Sequence, residues 1–367
     1  MTEKWSEEKA KSWYDSKNWI RGCNFIPSVC ANRLDMWQEY GWENHFASAK
    51  RELELVKETG FNSVRVFAEF NVWLTEHDSF MEHLESFIAL ADSLGISVLF
   101  GLTSEAQLPR GGKYVPKKFG EQEYALGYHQ GRRPMTDEEK AKPPFHFAEL
   151  SETSEKFYEM VREIVGKYAR DERIIVWNVY NEPGIVIKER AVPILRRIFA
   201  ECRSLDPIQP LCADVFWSYW GYDKIQSEAE KVALDLSDVV SFHSYMPYHM
   251  MVPQIAELKK LNRPIFMTEW LSRTSHSNVE ELYPMFYLEK IACYCWGFVL
   301  GKTQTNEPWE DYWNFYYSDD PNGKQLDFSR WMHDLYRPNY RPYIPGEIEL
   351  IKKYNMLADE TSRREGQ

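Results

Sequence analysis

Two glutamates at the ends of separate apolar runs are the residues of this sequence best suited to chemistry. Glu182 follows the run Ile174-Ile-Val-Trp-Asn-Val-Tyr-Asn181 and precedes Pro183, while Glu269 follows the run Pro264-Ile-Phe-Met-Thr268. A carboxyl group can act as a nucleophile, as a base and, when its pKa is raised, as an acid. Two such groups on one surface could therefore cleave a bond by a combination of nucleophilic and acid–base steps.

Hydrolysis of a glycosidic bond with retained configuration needs a carboxyl pair of this kind, with the groups about 5–5.5 Å apart. One carboxylate attacks the anomeric carbon, and the other group protonates the leaving oxygen. An ionised neighbour keeps the proton donor protonated by raising its pKa. We predict Glu269 as nucleophile and Glu182 as acid/base. Pro183 is expected to push the backbone at Glu182 towards extended geometry and to end the strand.

Further polar residues stand near the ends of other apolar runs and could support the nucleophile. An ionised Glu269 needs hydrogen-bond donors or positive charge nearby. Arg65 and Tyr245 are placed to provide them if all the runs end on one face. Each has a structural alternative, because Arg65 could form an ordinary salt bridge and Tyr245 could anchor a loop.

Other residues are candidates for contacts with a sugar. Asn181 could hydrogen-bond a 2-hydroxyl, and His243 could support Glu182, although a lone histidine is more often structural. Trp296 could form the floor beneath a sugar ring, since aromatic faces stack on apolar C–H faces. Weaker candidates for substrate binding are Asn24, Trp37, His129, Lys302, Gln304, Trp309 and Trp313.

Short apolar runs alternate with amphipathic stretches along the whole chain, a pattern typical of βα units around a parallel sheet. Eight runs are predicted to be strands, at 20–25, 63–67, 96–100, 174–179, 210–214, 239–243, 265–268 and 292–298. Helices are predicted at 42–59, 80–94, 154–169, 191–205 and 279–291. No glycine-rich phosphate loop is present, so a closed (β/α)8 TIM barrel fits better than an open doubly wound sheet.

A barrel brings the carboxyl ends of its strands to one face, where residues remote in sequence can meet. Two connections that leave this face are long, 103–150 after strand 3 and 301–328 after strand 8. Long connections there are usually functional. The alternative is a disordered insertion within 110–143, which is rich in Lys, Gly and Pro.

Composition excludes several classes of protein. The 367 residues carry a formal net charge of −12, which disfavours nucleic acid as a partner. We find no apolar stretch of about 18 residues and no leader-like amino terminus, and therefore predict no membrane partner and a cytoplasmic protein. A secreted protein without its leader would give the same pattern. The six cysteines lack metal-ligand spacing, and we expect buried, reduced thiols, no metal and no cofactor.

The quoted residues together resemble clan A glycoside hydrolases. Arg65, Asn181-Glu182-Pro183, His243-x-Tyr245, Thr268-Glu269-Trp270 and Trp296 follow the order of that clan, on strands 2, 4, 6, 7 and 8. The sequence is most similar to glycoside hydrolase family 5, the cellulase-like family, with family 2 catalytic domains second. The resemblance implies that Glu182 is the acid/base and Glu269 the nucleophile. It also implies that Arg65 and Tyr245 orient Glu269, that Asn181 binds the 2-hydroxyl and that Trp296 stacks under the sugar. One departure is at strand 3, where many family 5 members place a histidine and this chain reads Phe100-Gly-Leu-Thr103.

These observations predict a retaining β-glycosidase that acts on β-linked oligosaccharides or glycosides, with exo action favoured by the two long connections. The alternatives are an endo-acting β-glycanase, cellulase- or mannanase-like, and a catalytically silent carbohydrate-binding barrel. A metal-dependent barrel hydrolase is disfavoured, because only His243 of the nine histidines is well placed. We expect one catalytic domain over 1–355 and a frayed tail over 356–367, and an oligomer is compatible with the sequence.

Overall fold

The computed structural model describes residues 3–106, 108–216 and 227–365. Eight parallel strands form a closed barrel in which each strand pairs with the next and the last pairs with the first. The predicted (β/α)8 fold is therefore confirmed. The strands are β1 Arg21–Asn24, β2 Ser63–Phe67, β3 Ser97–Gly101, β4 Ile174–Asn181, β5 Leu211–Phe216, β6 Val240–His243, β7 Ile265–Trp270 and β8 Ala292–Cys295.

Helices connect the strands and cover the barrel. In chain order they are α1 Glu7–Asp15, α2 Arg33–Trp37, α3 Trp42–Glu58, α4 Phe70–Thr75, α5 His77–Ser93, α6 Asp137–Ala141, α7 Ser154–Tyr168, α8 Ala191–Ser204, α9 Glu228–Leu236, α10 Tyr248–Lys259, α11 Val279–Leu288, α12 Glu310–Tyr317 and α13 Pro345–Glu365. The five predicted helices correspond to α3, α5, α7, α8 and α11. The others were not predicted from the sequence.

Local sequence explains where the main helices stop. Gly60 and Gly95 follow α3 and α5 with φ values of +83° and +74°, a left-handed conformation that glycine adopts without strain. The chain then turns directly into β2 and β3. Helix α7 buries its apolar stripe, including Phe157, Val161 and Ile164, against the barrel, as the helical spacing of these residues predicts.

The carboxyl-terminal end of the molecule differs from the prediction. Residues 356–365 were expected to fray, but they continue helix α13 through Glu365. The helix packs on the barrel because Ile348, Ile351 and Ala358 are buried. Arg21 also donates from Nη2 to Asp359 Oδ1 at 2.7 Å, which joins the helix to the first strand. The signal was missed because the apolar positions of this helix are sparse among charged residues.

The two long connections contain structure of their own. The one after β3 contains a 3-10 turn at His129–Gly131, helix α6 and a second 3-10 turn at Phe147–Glu149. The one after β8 contains helix α12 and a 3-10 turn at Pro321–Gln325. Both leave the carboxyl ends of their strands, and they cover the face on which a barrel site forms.

A large apolar cluster lies between the barrel and the helices that cover it, and it contains side chains of both. A smaller cluster, which includes Leu99 and Val176, fills the inside of the barrel. All six cysteine side chains are buried, as the apolar runs that contain them predict. Within the described ranges, no helix has the length and apolar character needed to cross a membrane.

Candidate active site

The two predicted carboxyl groups meet at the carboxyl end of the barrel. Glu269 lies within β7, and Glu182 follows the last residue of β4. Both are largely buried, with 7% and 8% of their surfaces exposed. One oxygen of each carboxyl group lies within 4.8 Å of the other. This separation is close to the spacing of about 5–5.5 Å that a retaining glycosidase requires.

The backbone at Glu182 differs from the sequence prediction. Its φ is +52°, in the left-handed region, rather than extended as the following Pro183 suggests. A non-glycine residue in this region is strained, and the surrounding structure must hold it there. Glu105, which is fully buried, does so by accepting hydrogen bonds at 2.6–3.0 Å from Tyr180 Oη and from the backbone N–H groups of Gly184, Val186 and Ile187.

Irregularities in strand pairing occur at the strand ends that present these residues. The register shifts between Asn178 and Tyr180 in β4 and between Phe242 and His243 in β6. A third shift in β7 lies between Met267 and Trp270, and so includes Glu269. Such bulges change the direction in which side chains point, and they are frequent beside active sites.

Glu269 receives the two donors predicted for it. Arg65 donates from Nη1 to Oε1 at 2.8 Å, and the Tyr245 hydroxyl donates to Oε2 at 2.7 Å. Burial and the nearby Glu269 raise the pKa of Tyr245 well above its usual value, so that the phenol keeps its proton and remains a donor. These two donors fix the orientation of the Glu269 carboxyl group.

Arg65 is the central residue of the site and is completely buried. Besides Glu269, its guanidinium donates to Asn24 Oδ1 at 2.8 Å and to Asn181 Oδ1 at 2.5 Å. It also forms a 2.6 Å ion pair with Asp214 Oδ2. One side chain thus joins residues of β1, β2, β4, β5 and β7.

Asp214 was not predicted as a site residue, although it ends the fifth predicted strand. Its side chain is fully buried and also accepts a hydrogen bond from Thr268 Oγ1 at 2.7 Å and one from Ser241 Oγ. Burial by itself would raise its pKa, but the charges of Arg65 and His243 hold the pKa well below its usual range. Asp214 therefore remains ionised and balances the charge of Arg65.

His243 lies between the acidic groups, as predicted. Its Nδ1 is 2.8 Å from Glu182 Oε1 and 3.6 Å from Glu269 Oε2, and its Nε2 is 3.6 Å from Asp214 Oδ2. Burial disfavours the charged imidazole, but the charges of Glu269 and Asp214 and the hydrogen bond to Glu182 outweigh it and raise its pKa to about 10. His243 is therefore a cation at neutral pH and donates to Glu182.

The pKa of Glu182 is raised above its usual value. Burial is the largest cause, and the charges of Glu269 and Asp214 act in the same direction. The hydrogen bond from His243 and its charge act in the opposite direction but do not cancel the increase. The two carboxyl groups thus have different environments. Glu269 accepts hydrogen bonds from Arg65 and Tyr245, whereas the pKa of Glu182 is raised mainly by burial. Such a difference is typical of an acid paired with a nucleophile.

A cavity adjoins this network, and we call it the Trp296 cavity. Its wall includes Asn24, Arg33, Arg65, Phe67, Trp296 and Asp334. Asn24 and Trp296, which we predicted to bind substrate, both line this cavity, and their contact with substrate stays a prediction. Asn24 also positions Arg65 and donates to the backbone oxygens of Thr268 and Cys295. The Trp296 indole N–H has no hydrogen-bond partner among the residues the structure describes.

Several weaker candidates lie elsewhere. Trp37 is in the hydrophobic core, where it packs on Phe80 and Phe87 and donates to the Phe67 carbonyl oxygen at 2.7 Å. The prediction that it binds substrate is not supported, because α2 turns the indole inward. Trp313 stacks on Phe328 at 3.9 Å between ring centroids, in the outer part of the strand-8 connection.

Other candidates join the two long connections to each other. Gln304 donates to the Ala125 carbonyl oxygen at 2.6 Å and accepts from the Gly127 N–H at 2.7 Å. His129 Nδ1 lies 2.7 Å from the Glu307 carbonyl oxygen. Lys302 approaches the Tyr124 ring at 5.9 Å, and Trp309 packs edge-on against Tyr245 at 4.7 Å. These residues hold the walls of the site together, and Trp309 supports a partner of Glu269.

A buried histidine contacts the end of β3. Thr103 Oγ1 lies 2.9 Å from Nε2 of His146, a fully buried residue of the strand-3 connection. Burial lowers the pKa of His146 to about 3, so the imidazole is neutral. Because His146 is 43 residues from Thr103 in the sequence, its position beside β3 could not be read from the strand itself.

Within the residues that the structure describes, two groups of side chains have atoms close enough to hold a metal ion, Glu182–His243–Glu269 and Cys30–Asp35–His45. In the first, Arg65 already donates to Glu269 and His243 is a cation, which disfavours a second positive ion. In the second, Asp35 accepts from the Ala31 N–H at 2.9 Å and from Gln38 Nε2 at 3.0 Å. The absence of a metal stays a prediction.

A closed (β/α)8 barrel with Glu182 and Glu269 close together at the carboxyl ends of its strands is the arrangement expected of a glycoside hydrolase. The family model described as "Cellulase (glycosyl hydrolase family 5)" matches residues 22–302. The chain therefore belongs to glycoside hydrolase family 5, and it is a glycoside hydrolase. The predicted resemblance is confirmed. No curated protein matches the chain.

Solved structures of low sequence identity share the fold. A glycoside hydrolase family 5 mannosidase from Rhizomucor miehei is 13% identical over 94% of each chain, with a TM-score of 0.57. An endo-β-1,4-mannanase from Thermotoga petrophila is 14% identical over 94% of this chain and 78% of its own, with a TM-score of 0.55. An exo-β-1,4-mannosidase from Opitutaceae bacterium strain TAV5 is 13% identical over 94% of this chain and 60% of its own, with a TM-score of 0.56.

The ion pair between Arg65 and Asp214 gives a testable prediction about stability. Asp214→Asn removes one charge from a fully buried pair, and we expect a loss of about 3 kcal/mol because Arg65 then loses one of its two buried carboxylate partners, Asp214 and Glu269. Asp206→Asn is a matched control, since Asp206 pairs with Arg170 at the same 2.6 Å distance but is exposed. It should change stability by about 0–1 kcal/mol. Urea denaturation measures both, and equal losses would contradict this view of the site.

Proposed function

We propose that this glycoside hydrolase is a retaining β-glycosidase that acts by double displacement. Glu269 is the nucleophile, and Glu182 is the acid/base. The observation that carries the proposal is the pair of carboxyl oxygens within 4.8 Å, with donors on one group and a raised pKa on the other. An inverting enzyme needs a separation of about 6.5–9.5 Å to leave room for water between the groups.

In the first step, the ionised Glu269 attacks the anomeric carbon while Glu182 gives its proton to the leaving oxygen. The bond from carbon to the leaving oxygen breaks, and a covalent glycosyl ester forms on Glu269. Glu182 can hold this proton near neutral pH because burial and the charge of Glu269 raise its pKa. Glu182 ends this step as a carboxylate.

In the second step, the carboxylate of Glu182 takes a proton from water, and the water oxygen attacks the anomeric carbon. The ester bond breaks and Glu269 is released as a carboxylate. Esterification has meanwhile removed the negative charge of Glu269, which is one cause of the raised pKa of Glu182. Glu182 is thus a better acid before the first step than after it, and a better base for water in the second.

The surrounding residues position these groups. Arg65 and Tyr245 orient Glu269 and stabilise the carboxylate that leaves in the second step. Trp296 provides a face for the bound sugar, since it lines the cavity and is only partly buried. Asn181 is proposed to contact the 2-hydroxyl, for which its Nδ2 would exchange or share its 3.0 Å bond to Ser104 Oγ.

The form of the site also supports exo action. The connections after β3 and β8 are bonded to each other through Gln304 and His129, and together they form a wall at the barrel mouth. A wall favours a pocket that takes the end of a chain over a cleft that takes its middle. Because two of the similar structures are named mannosidases, β-mannosides are the first substrates to test.

The roles of the two glutamates predict opposite products in the presence of azide. Glu269→Ala should reduce turnover of aryl β-glycosides by roughly 10⁴-fold, and azide should enter the empty position to give the α-glycosyl azide. Glu182→Ala should spare substrates with good leaving groups, and azide should give the β-glycosyl azide. Proton NMR of the products identifies the anomers.

Glu310→Ala is a suitable control, because Glu310 is exposed at the start of α12, and it should keep wild-type turnover. The assignment fails if both active-site variants keep near-wild-type rates, or if the azide products have the reverse configurations.

The cationic His243 predicts a shift of the pH profile. The hydrogen bond from His243 and its charge act to lower the pKa of Glu182. His243→Gln should therefore raise this pKa and move the alkaline limb of the kcat/KM profile, where Glu182 loses its proton, to higher pH. His249→Gln, at an exposed histidine, should leave the profile in place. A shift of the mutant profile to lower pH would show that His243 is not charged.

Exo action predicts a specific sequence of products. With β-1,4-linked mannohexaose labelled at its reducing end, we expect labelled products that shorten by one sugar at a time, with free mannose appearing from the start. Chromatography of early time points distinguishes the two modes of action. Early labelled disaccharides and trisaccharides from internal cleavage would instead establish the endo alternative.

A further inference from the structure

Arg33 is a charged residue of the Trp296 cavity that the proposed mechanism does not use. It is the first residue of α2 and is partly buried. Its guanidinium carbon lies 3.8 Å from the centroid of the Phe67 ring, and that of Arg65 lies 4.4 Å from the same centroid. Arg33 therefore lies close to the arginine that holds Glu269, with its charge at the cavity wall.

The two arginines differ in how their charge is balanced. Arg65 is paired with Asp214 and Glu269, at 2.6 Å and 2.8 Å. Among the residues that the structure describes, Arg33 has neither an ion pair nor a side-chain hydrogen bond, only its contact with Phe67. Burial lowers its pKa to about 10, so it remains charged at neutral pH. A partly desolvated cation without an acceptor is unfavourable, and an anion bound beside it would compensate.

The nearest negative side chain does not neutralise this region. Glu69 is buried and bonded to Lys117 at 3.2 Å and to Asn71. Its charge acts on both Arg33 and Arg132, but it forms an ion pair with neither of them. The group Arg33, Arg132, Lys117 and Glu69 thus has an excess of positive charge, in a chain whose formal net charge is −12.

The wall of the cavity also contains an acidic residue. Asp334 is buried there and accepts hydrogen bonds from Thr305 Oγ1 at 2.9 Å and 3.0 Å. Burial raises its pKa to about 7, so at neutral pH it carries only part of a negative charge. Asp334 therefore does not balance the charge of Arg33 in the cavity.

We propose that the substrate is a glycoside with an acidic substituent, a carboxylate, sulfate or phosphate, which Arg33 binds in the Trp296 cavity. Arginine suits this role because its planar group can form two parallel hydrogen bonds with an oxyanion. The inference rests on the proposed function for the identity of the ligand as a glycoside. Recognition of the acidic group, however, can be measured by binding alone, without any hydrolysis.

Calorimetric binding to the wild-type protein tests the proposal. The probes are glucose, mannose and galactose, each compared with its uronate, its 6-phosphate and its 6-sulfate, which distinguishes the three kinds of acid. We expect at least one acidic sugar to bind tenfold or more tightly than its neutral parent. Because the attraction is electrostatic, the advantage should decrease as NaCl is added.

Variants assign this advantage to Arg33. Arg33→Gln should remove most of it, and Arg33→Lys, which keeps the charge, should retain a substantial part. Arg170→Gln removes an exposed arginine that pairs with Asp206 and should leave binding unchanged. Thermal unfolding of each variant identifies any loss of binding that is due to a loss of folding.

The proposal is overturned if no acidic sugar binds measurably, or if every acidic sugar binds within twofold of its neutral parent. It is also overturned if the advantage is the same in folded Arg33→Gln. Hydrolysis of neutral nitrophenyl β-glycosides by the same preparations separates this result from the proposed function. Hydrolysis without acid preference refutes only the acidic subsite, whereas Arg33-dependent binding without hydrolysis of any glycoside refutes only the proposed function.

Discussion

A completely buried guanidinium is the constraint on which the site depends. Arg65 is removed from water and must be compensated within the barrel, because an unpaired charge there is very costly. Its partners are two carboxylates, Asp214 and Glu269, and the amide oxygens of Asn24 and Asn181. The arrangement of these groups fixes Glu269 in one orientation before any substrate binds, which is how a preorganised site lowers a barrier.

The same constraint explains why the two carboxyl groups of the site have different environments. Arg65 provides charge to Glu269 and Asp214, whereas among the described residues Glu182 has only His243 within hydrogen-bonding distance. Burial therefore dominates at Glu182 and raises its pKa. The strained backbone at Glu182 is held by Glu105, so this residue too is fixed by a buried polar network beyond its immediate contacts. Each carboxyl group of the pair thus depends on a further buried acidic side chain, Asp214 for Glu269 and Glu105 for Glu182.

Much of the fold and the centre of the site could be predicted from the sequence. Strands that end in polar residues give a strong pattern, and the barrel requires their ends to meet, so Arg65, Glu182, His243, Tyr245 and Glu269 were predicted together. Residues that act through contacts remote in sequence gave no such signal. Asp214, Glu105 and His146 each looked like an ordinary polar residue, and only the folded structure shows that they are buried.

The errors have related physical causes. Tryptophan and polar residues in loops occur both in binding sites and in packing, and the sequence does not separate the two, so Trp37 and Gln304 were assigned to substrate. At Glu182, the local preference imposed by Pro183 was overridden by the hydrogen bonds that surround Glu105. Helix α13 was missed because it is held by contacts remote in sequence, its packing on α11 and the hydrogen bond between Arg21 and Asp359, and not by a strong amphipathic pattern.

The central claim is that Arg65 holds Glu269 ready to form a covalent bond with the sugar. The most direct measurement is the mass of the intact protein, followed by peptide mapping, after incubation with a 2-deoxy-2-fluoro-β-glycosyl fluoride of the sugar series that the enzyme hydrolyses. The account predicts one glycosyl adduct per chain, attached to Glu269, and much slower labelling in Arg65→Met at an unchanged fold. An adduct on Glu182 or on any other residue would contradict it.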